Sequence, residues 1–138
     1  MSYSVAMLSV HTSPLDTPGR TRDAGGMNVY MHQLARELGH SQHTIDIFTR
    51  RTNEHSPHIV QLTPNVRVIH IKAGPSAPIH KHDLYQYLPA FAQRIDEFQR
   101  SEKAHYDILH SHYWLSGVAA MQLAQQWAVP HITMFHTL

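Results

Sequence analysis

The chain has 138 residues, enough for one domain with a buried core and too few for two. Its formal net charge of +1 gives no electrostatic case for binding nucleic acid or an anionic membrane, and its 42% of apolar residues is typical of a globular domain. It contains no cysteine, no signal-peptide pattern and no membrane-length apolar stretch, so disulfides are excluded and we expect a cytoplasmic protein.

The first two predicted elements are a strand and a helix. A short apolar run at residues 4–10, bounded by polar residues, predicts a buried strand. Apolar residues then recur at helical spacing, and Gly39 is well placed to end that helix. We expect the buried face of the helix to be formed by Met27, Tyr30, Met31, Leu34 and Leu38.

Three predicted strands follow this helix. Alternating residues at 44–49, many of them β-branched, predict the second strand of the chain. The apolar runs 58–62 and 66–71 flank a Thr-Pro-Asn turn signal. They predict either a hairpin or two strands with a short connection.

The second half of the chain alternates helices with strands. Apolar residues from Leu84 onwards recur at helical spacing and predict a helix that either kinks at Pro89 or begins there. A strand is predicted at 106–112, a helix with one apolar face at 120–127, and a last strand at 131–136. The alternation predicts an α/β fold, a Rossmann-like, open and mostly parallel sheet with helices on both faces.

We expect a single domain over residues 1–138. The chain stops directly after its last predicted strand, where a fold of this kind needs another helix to cover the sheet. We therefore expect the domain to be incomplete at its C-terminus.

Histidines stand at the ends of three predicted strands. His11 follows the first strand, His110 and His112 close a later one, and His136 closes the last. Ligands of open α/β sheets bind beyond the carboxyl ends of the parallel strands. The sequence therefore predicts a binding site at that edge, and the long polar segment after His11 lies on the same side.

A glycine pair, Gly25 and Gly26, precedes the first helix. Free backbone N–H groups and the helix dipole favour an anion there, although a simple turn into the helix is the alternative. Asp23 is either a polar contact of the site or a carboxylate that stabilises the helix N-terminus. The dinucleotide fingerprint is absent, and the second strand runs into Arg50 and Arg51 rather than an acid, so hydride transfer is not favoured.

The remaining candidate side chains each have a functional and a structural interpretation. The chain has fourteen histidines, but each close pair lacks a local third ligand, so we predict no metal site. Lys81 is either a solvated lysine or a point charge for a phosphate. Tyr113 and Trp114 are either core residues or a wall for a sugar ring.

Several short motifs occur in a fixed order along the chain. They are HTSPL, DAGGMNVY, IDIFTR, AGP, HSHYWLSG and HTL. Together they resemble the N-terminal half of the retaining family 4 glycosyltransferases of GT-B architecture, over nearly the whole chain. Within that family the motifs are most similar to those of members that use a phosphorylated polyol as acceptor. The segment PGRTRDAGG is longer and more basic than the family pattern.

The resemblance implies roles for individual residues. His136 would contact the donor sugar and is the catalytic candidate, and Gly26 would lie near the donor diphosphate. The other substrate-binding candidates, which would lie between the diphosphate and the acceptor or hold the acceptor and its phosphate, are His11, Asp23, Gly25, Met27, Asn28, Lys81, Tyr113 and Thr137.

The family transfers a sugar from a nucleotide sugar, such as a UDP-sugar, to a hydroxyl acceptor with retention at the anomeric carbon. The resemblance implies no cofactor besides that substrate. GT-B enzymes hold the nucleotide mainly in a C-terminal domain that this sequence lacks, so we expect the acceptor-side half to be inactive by itself. The alternative is a non-catalytic Rossmann-like module that binds a phosphorylated small molecule.

Overall fold

Six strands form one open sheet in the residues that this computed structural model describes, 1–16 and 26–136. In chain order they are β1 (Ser4–Leu8), β2 (Thr44–Arg50), β3 (Ile59–Thr63), β4 (Val66–Ile71), β5 (Ile108–His112) and β6 (His131–Met134). They lie in the order β3-β4-β2-β1-β5-β6. All pairs are parallel except β3 with β4, which form an antiparallel hairpin. The predicted α/β fold with a mostly parallel sheet is confirmed.

Helices cover both faces of this sheet, as the alternation of elements predicted. They are α1 (Gly26–His40), α2 (Leu88–Glu102) and α3 (Tyr113–Trp127). Side chains of β1 alternate between two cores: Val5 and Met7 pack with α1, whereas Ala6 and Leu8 pack with α2 and α3. None of the helices in the described ranges has the length and apolar character needed to cross a bilayer.

The order of the strands places a crevice at the carboxyl end of β1. From β1 the chain moves through α1 to β2 on one side, and β5 later pairs with β1 on the other side. In open α/β sheets, a ligand can bind where the connections from two adjacent strands run to opposite sides, because a crevice is left between them. The fold therefore puts the ends of β1 and β5 beside the N-terminus of α1.

Gly39 does not end α1, contrary to the sequence-based prediction. It lies inside the last turn, and the chain reverses at Gln42, which has a φ of 69°. The N–H groups of Gln42 and His43 donate to the carbonyls of Gly39 and Leu38, which closes the helix with a Schellman-type pattern. Gly39 is instead a packing residue, because a Cβ there would lie 2.9 Å from a methyl group of Val66.

Two other element boundaries and the exposure of one side chain differ from the prediction. The position of Pro89 decides between two predicted alternatives. β1 ends at Leu8 rather than at residue 10, and α3 begins at Tyr113, before the apolar repeat that indicated it. Pro89 lies in the first turn of α2, so the helix begins there and does not kink. Tyr30 is 40% exposed and does not belong to the buried face of α1.

A buried arginine fixes the link between β4 and α2. Arg50, the last residue of β2, is 3% exposed. Its guanidinium donates hydrogen bonds to the backbone carbonyls of Ala73, Pro75 and Ala77. Lys81 follows further along the same link.

Candidate ligand-binding site

The carboxyl edge of the sheet brings several of the predicted site residues together. His11 lies just beyond β1, Tyr113 directly follows β5, and His136 lies just beyond β6. The ring centroids of His11 and Tyr113 are 4.7 Å apart, and those of His112 and His136 are 5.0 Å apart. The prediction that these residues share one edge of the sheet is therefore correct.

The junction between β5 and α3 brings Lys81 close to the start of a helix. His112 is the N-cap residue of α3, but its side chain makes no capping hydrogen bond, and Tyr113 opens the helix with a φ of 74°. The N–H groups of the first helical turn and the helix dipole favour an anion. Lys81, in a short 3-10 helix (Lys81–Asp83), places its ammonium nitrogen 5.5 Å from the ring centroid of Tyr113. The ammonium group thus lies over the ring of the first residue of α3.

Four rings form a row that leads away from this junction. The ring centroids are 4.7 Å apart for His11 and Tyr113, 6.3 Å for Tyr113 and Trp114, and 6.3 Å for Trp114 and Tyr85. Trp114 is 43% exposed and Tyr85 is 60% exposed. Trp114 is therefore not a core residue, and its interpretation as a wall for a sugar ring remains open to test.

Asn28 ties the N-terminus of α1 to the segment after β1. Its amide oxygen accepts a hydrogen bond of 2.9 Å from the hydroxyl of Thr12, and its amide nitrogen donates to the carbonyl of Ser13 at 2.9 Å. It is 2% exposed. Both polar atoms of Asn28 are thus engaged within the protein, and a direct contact with an acceptor stays a prediction.

Gly26 and Met27 form the start of α1. No atom lies within 4 Å of the position that a Cβ on Gly26 would occupy, so packing in the described structure does not require glycine there. The open space is what a phosphate close to the backbone would need. Met27 is half-buried in the same turn.

A cluster of imidazoles lies on the α1 side of β5. The ring centroids of His110 and His112 are 4.4 Å apart, and Nδ1 of His112 lies 2.8 Å from Nε2 of His136. Tyr30 meets the rings of His112 and His136 edge-on, at 6.3 Å and 5.6 Å. Burial, aided by the neighbouring imidazoles, lowers the pKa of His112 to about 3. Burial also lowers the pKa of His110 and of His136.

These pKa shifts make the histidine cluster neutral near pH 7, so among the described residues the positive charge at this edge comes from Lys81 and the helix N-termini. Neutral imidazoles act there as hydrogen-bond partners rather than as cations. Within residues 1–16 and 26–136 no group of three or more histidine, aspartate or glutamate side chains is arranged to hold a metal ion.

Three candidates, Asp23, Gly25 and Thr137, lie outside the described residues. Sequence reasoning also missed two residues that the structure brings to the site. The hydroxyl of Thr12 anchors Asn28, and the HTSPL motif was the signal that could have identified it. Tyr30 contacts the histidine cluster, but its helical spacing had assigned it to the core.

The chain is similar in sequence to curated glycosyltransferases. The chain is 48% identical over 136 residues to a D-inositol 3-phosphate glycosyltransferase of Xylanimonas cellulosilytica, covering 97% of this chain and 32% of that protein. It is 47% identical over 134 residues to the D-inositol 3-phosphate glycosyltransferase of Corynebacterium glutamicum, with the same coverage of both proteins. The chain thus spans about a third of the length of these curated relatives.

Solved structures show the same fold. Sucrose-phosphate synthase from Thermosynechococcus elongatus superimposes with a TM-score of 0.91 at 32% identity, over 99% of this chain and 33% of that one. The catalytic domain of starch synthase IV from Arabidopsis thaliana gives a TM-score of 0.65 at 12% identity, over 95% of this chain and 33% of that one, and shows the fold alone. The sequence profile of the glycosyl transferase 4-like domain matches residues 25–138. This match confirms the resemblance found in the motifs: the chain belongs to the family of glycosyl transferase 4-like domains.

Proposed function

We propose that this chain is the acceptor-side part of a retaining glycosyltransferase that moves a sugar from a nucleotide sugar to a hydroxyl group of a phosphorylated polyol. The observation that carries the proposal is the position of the Lys81 ammonium group, 5.5 Å from the ring of Tyr113 at the N-terminus of α3. A cation beside free backbone N–H groups suits a phosphate. The name of the curated relatives, D-inositol 3-phosphate glycosyltransferase, supports the same class of acceptor.

The proposed reaction uses two groups of described residues, one for the acceptor and one for the donor. Lys81, Tyr113 and the first turn of α3 hold the phosphate of the acceptor, and His11 borders the polyol. Gly26, at the open N-terminus of α1, faces the diphosphate of the donor, where the helix dipole stabilises the negative charge that develops as this group leaves. His136 contacts the donor sugar. The acceptor oxygen then bonds to the anomeric carbon as the bond from that carbon to the diphosphate oxygen breaks, and the hydroxyl proton passes to the leaving diphosphate.

The phosphate site is tested by Lys81→Ala in a longer protein that contains this chain together with a nucleotide-binding half. A charge-assisted hydrogen bond to phosphate contributes about 1.5–3 kcal/mol, so kcat/KM for D-inositol 3-phosphate should fall roughly ten- to a hundredfold. KM for the nucleotide sugar should stay unchanged, because the donor contacts other residues. Steady-state kinetics with both substrates varied measures the two effects separately.

Lys72→Ala is the matched control for this experiment. Lys72 is an exposed lysine directly after β4, in the same link as Lys81, but it lines a different cavity, beside Arg94 of α2. Its removal should change neither kinetic constant by more than about twofold. An unchanged kcat/KM for the acceptor in Lys81→Ala would remove the phosphorylated acceptor from the proposal and leave the family assignment standing.

The second candidate is a non-catalytic module that binds a phosphorylated small molecule. It is favoured by the fact that Lys81, Tyr113 and the N-terminus of α3 all belong to this chain and need no second half to meet a phosphate. Calorimetric titration of the 138-residue chain with D-inositol 3-phosphate and with unphosphorylated inositol tests binding. Binding of the phosphate ester without sugar transfer by the longer protein would favour the module over the transferase. We expect no transfer by the chain alone.

A further inference from the structure

The buried ring of His112 stacks on the ring of His136 and shares a hydrogen bond with it. His112 is fully buried at the end of β5, and its ring stacks on that of His136 with an angle of 28° between the ring planes. Nδ1 of His112 and Nε2 of His136 are 2.8 Å apart, and Tyr30 packs edge-on against the His136 ring. These contacts hold His136 at an exposed position where its backbone adopts the uncommon φ of 65°.

The hydrogen bond between the two rings has two possible directions. The lowered pKa values of His112 and His136 keep both rings neutral near pH 7, so each ring carries one proton. Either His112 donates from Nδ1 and His136 carries its own proton on Nδ1, or His136 donates from Nε2 and the proton of His112 is on Nε2. The two directions give His136 opposite chemical properties.

The surroundings of Nε2 of His112 favour the first direction. This nitrogen is buried and has no hydrogen-bond partner among the described residues. In the second direction it would be a buried N–H without an acceptor, which proteins rarely leave unpaired.

We propose that His112 is a positioning residue that donates its Nδ1 proton to Nε2 of His136 and so keeps the His136 proton on Nδ1. His136 is then a hydrogen-bond donor whose remaining lone pair is occupied, and it cannot act as a base while this bond persists. A donor suits an oxygen-rich partner, such as a sugar hydroxyl or a phosphate oxygen. This chemical role of His136 rests on the proposed function, whereas the position of its proton does not.

The proton can be located directly in the chain without any substrate. Long-range 1H–15N correlation spectra of the uniformly 15N-labelled chain at about pH 8, where imidazoles are neutral, distinguish a protonated from an unprotonated ring nitrogen. The His136 signals are assigned as those lost in His136→Gln. We expect Nδ1 of His136 to be of the protonated type and Nε2 of the unprotonated type. The reverse pattern would overturn the proposal.

Two variants separate positioning from a general structural role. His112→Asn places an amide N–H close to where Nδ1 stood, so the pattern of His136 should be retained. His112→Leu fills the space of the ring with an apolar side chain and removes the donor. His136 should then shift towards the form with its proton on Nε2, which free imidazole side chains prefer. Identical His136 patterns in both variants would contradict the proposal. Failure of sugar transfer in the longer protein would leave this result unaffected.

Discussion

His112 shows how a residue type that usually titrates near neutral pH is kept uncharged by its place in the fold. Its folded pKa is lowered to about 3, whereas an unfolded imidazole titrates near about 6.5. As the pH falls, the unfolded chain takes up this proton first. The stability linked to His112 is therefore complete above about pH 6.5 and is lost as the pH falls towards about 3, by at most about 1.4 kcal/mol per pH unit.

We therefore expect the free energy of unfolding to be lower at about pH 5 than at about pH 7, measured by guanidinium titration. His112→Asn lacks the titrating group but keeps a donor, so its free energy of unfolding should depend less steeply on pH. The histidines that do not contact His112 act equally in both proteins and cancel in the comparison. Parallel pH profiles for the two proteins would contradict this assignment.

At the level of single residues, the sequence located His11, Tyr113 and His136 because strand ends meet at one edge of a parallel sheet. It did not locate the role of His112, because the HSH pattern does not reveal which ring is buried. It also misassigned Tyr30 to the core. Helical spacing identifies the side of α1 that faces the sheet, but it does not show which residues on that side are covered by other side chains.

At the level of elements, the two glycines of α1, Gly26 and Gly39, differ in their surroundings. A Cβ on Gly39 would meet Val66 of β4 at 2.9 Å, whereas a Cβ on Gly26 would meet no atom of the described residues within 4 Å. We expect Gly39→Ala to lower the free energy of unfolding by about 1–3 kcal/mol, because α1 must move away from the sheet or Val66 must shift. Thermal and guanidinium unfolding measure this change.

Gly26→Ala is the matched variant at the other end of the same helix. It should change the free energy of unfolding by no more than about 0.5 kcal/mol, because the site is open to solvent. If Gly26 approaches the donor diphosphate, the variant should instead raise KM for the nucleotide sugar in the longer protein. Equal losses of stability in the two glycine variants would show that packing does not distinguish them.

At the level of the whole molecule, the two faces of the sheet are unequally covered. The core under α1 is built from β1, β2 and β4, and the same face of β5 and β6 borders an open apolar cavity of about 390 Å³. Ile132 of β6 lines this cavity and is 54% exposed. Exposed apolar patches of this kind promote association.

We expect the 138-residue chain to associate with increasing concentration, and Ile132→Thr to shift it towards the monomer. Threonine keeps the β-branched shape that suits a strand, so the fold should be retained. Met121→Gln is the control, because Met121 is 66% exposed on α3, which packs on the other face of the sheet. Sedimentation velocity measures both variants, and a wild-type chain that stays monomeric at high concentration would contradict the expectation.

The direct passage from β5 into α3 also determines which changes of chain length the molecule can accept. His112 ends the strand and Tyr113 begins the helix, so no loop separates them. One inserted residue would rotate α3 by about 100° relative to β5. It would take the Ser116 hydroxyl away from the N–H of Val10 and turn Ala120 out of the core. Insertions and deletions should therefore not be tolerated at the junction that carries Tyr113.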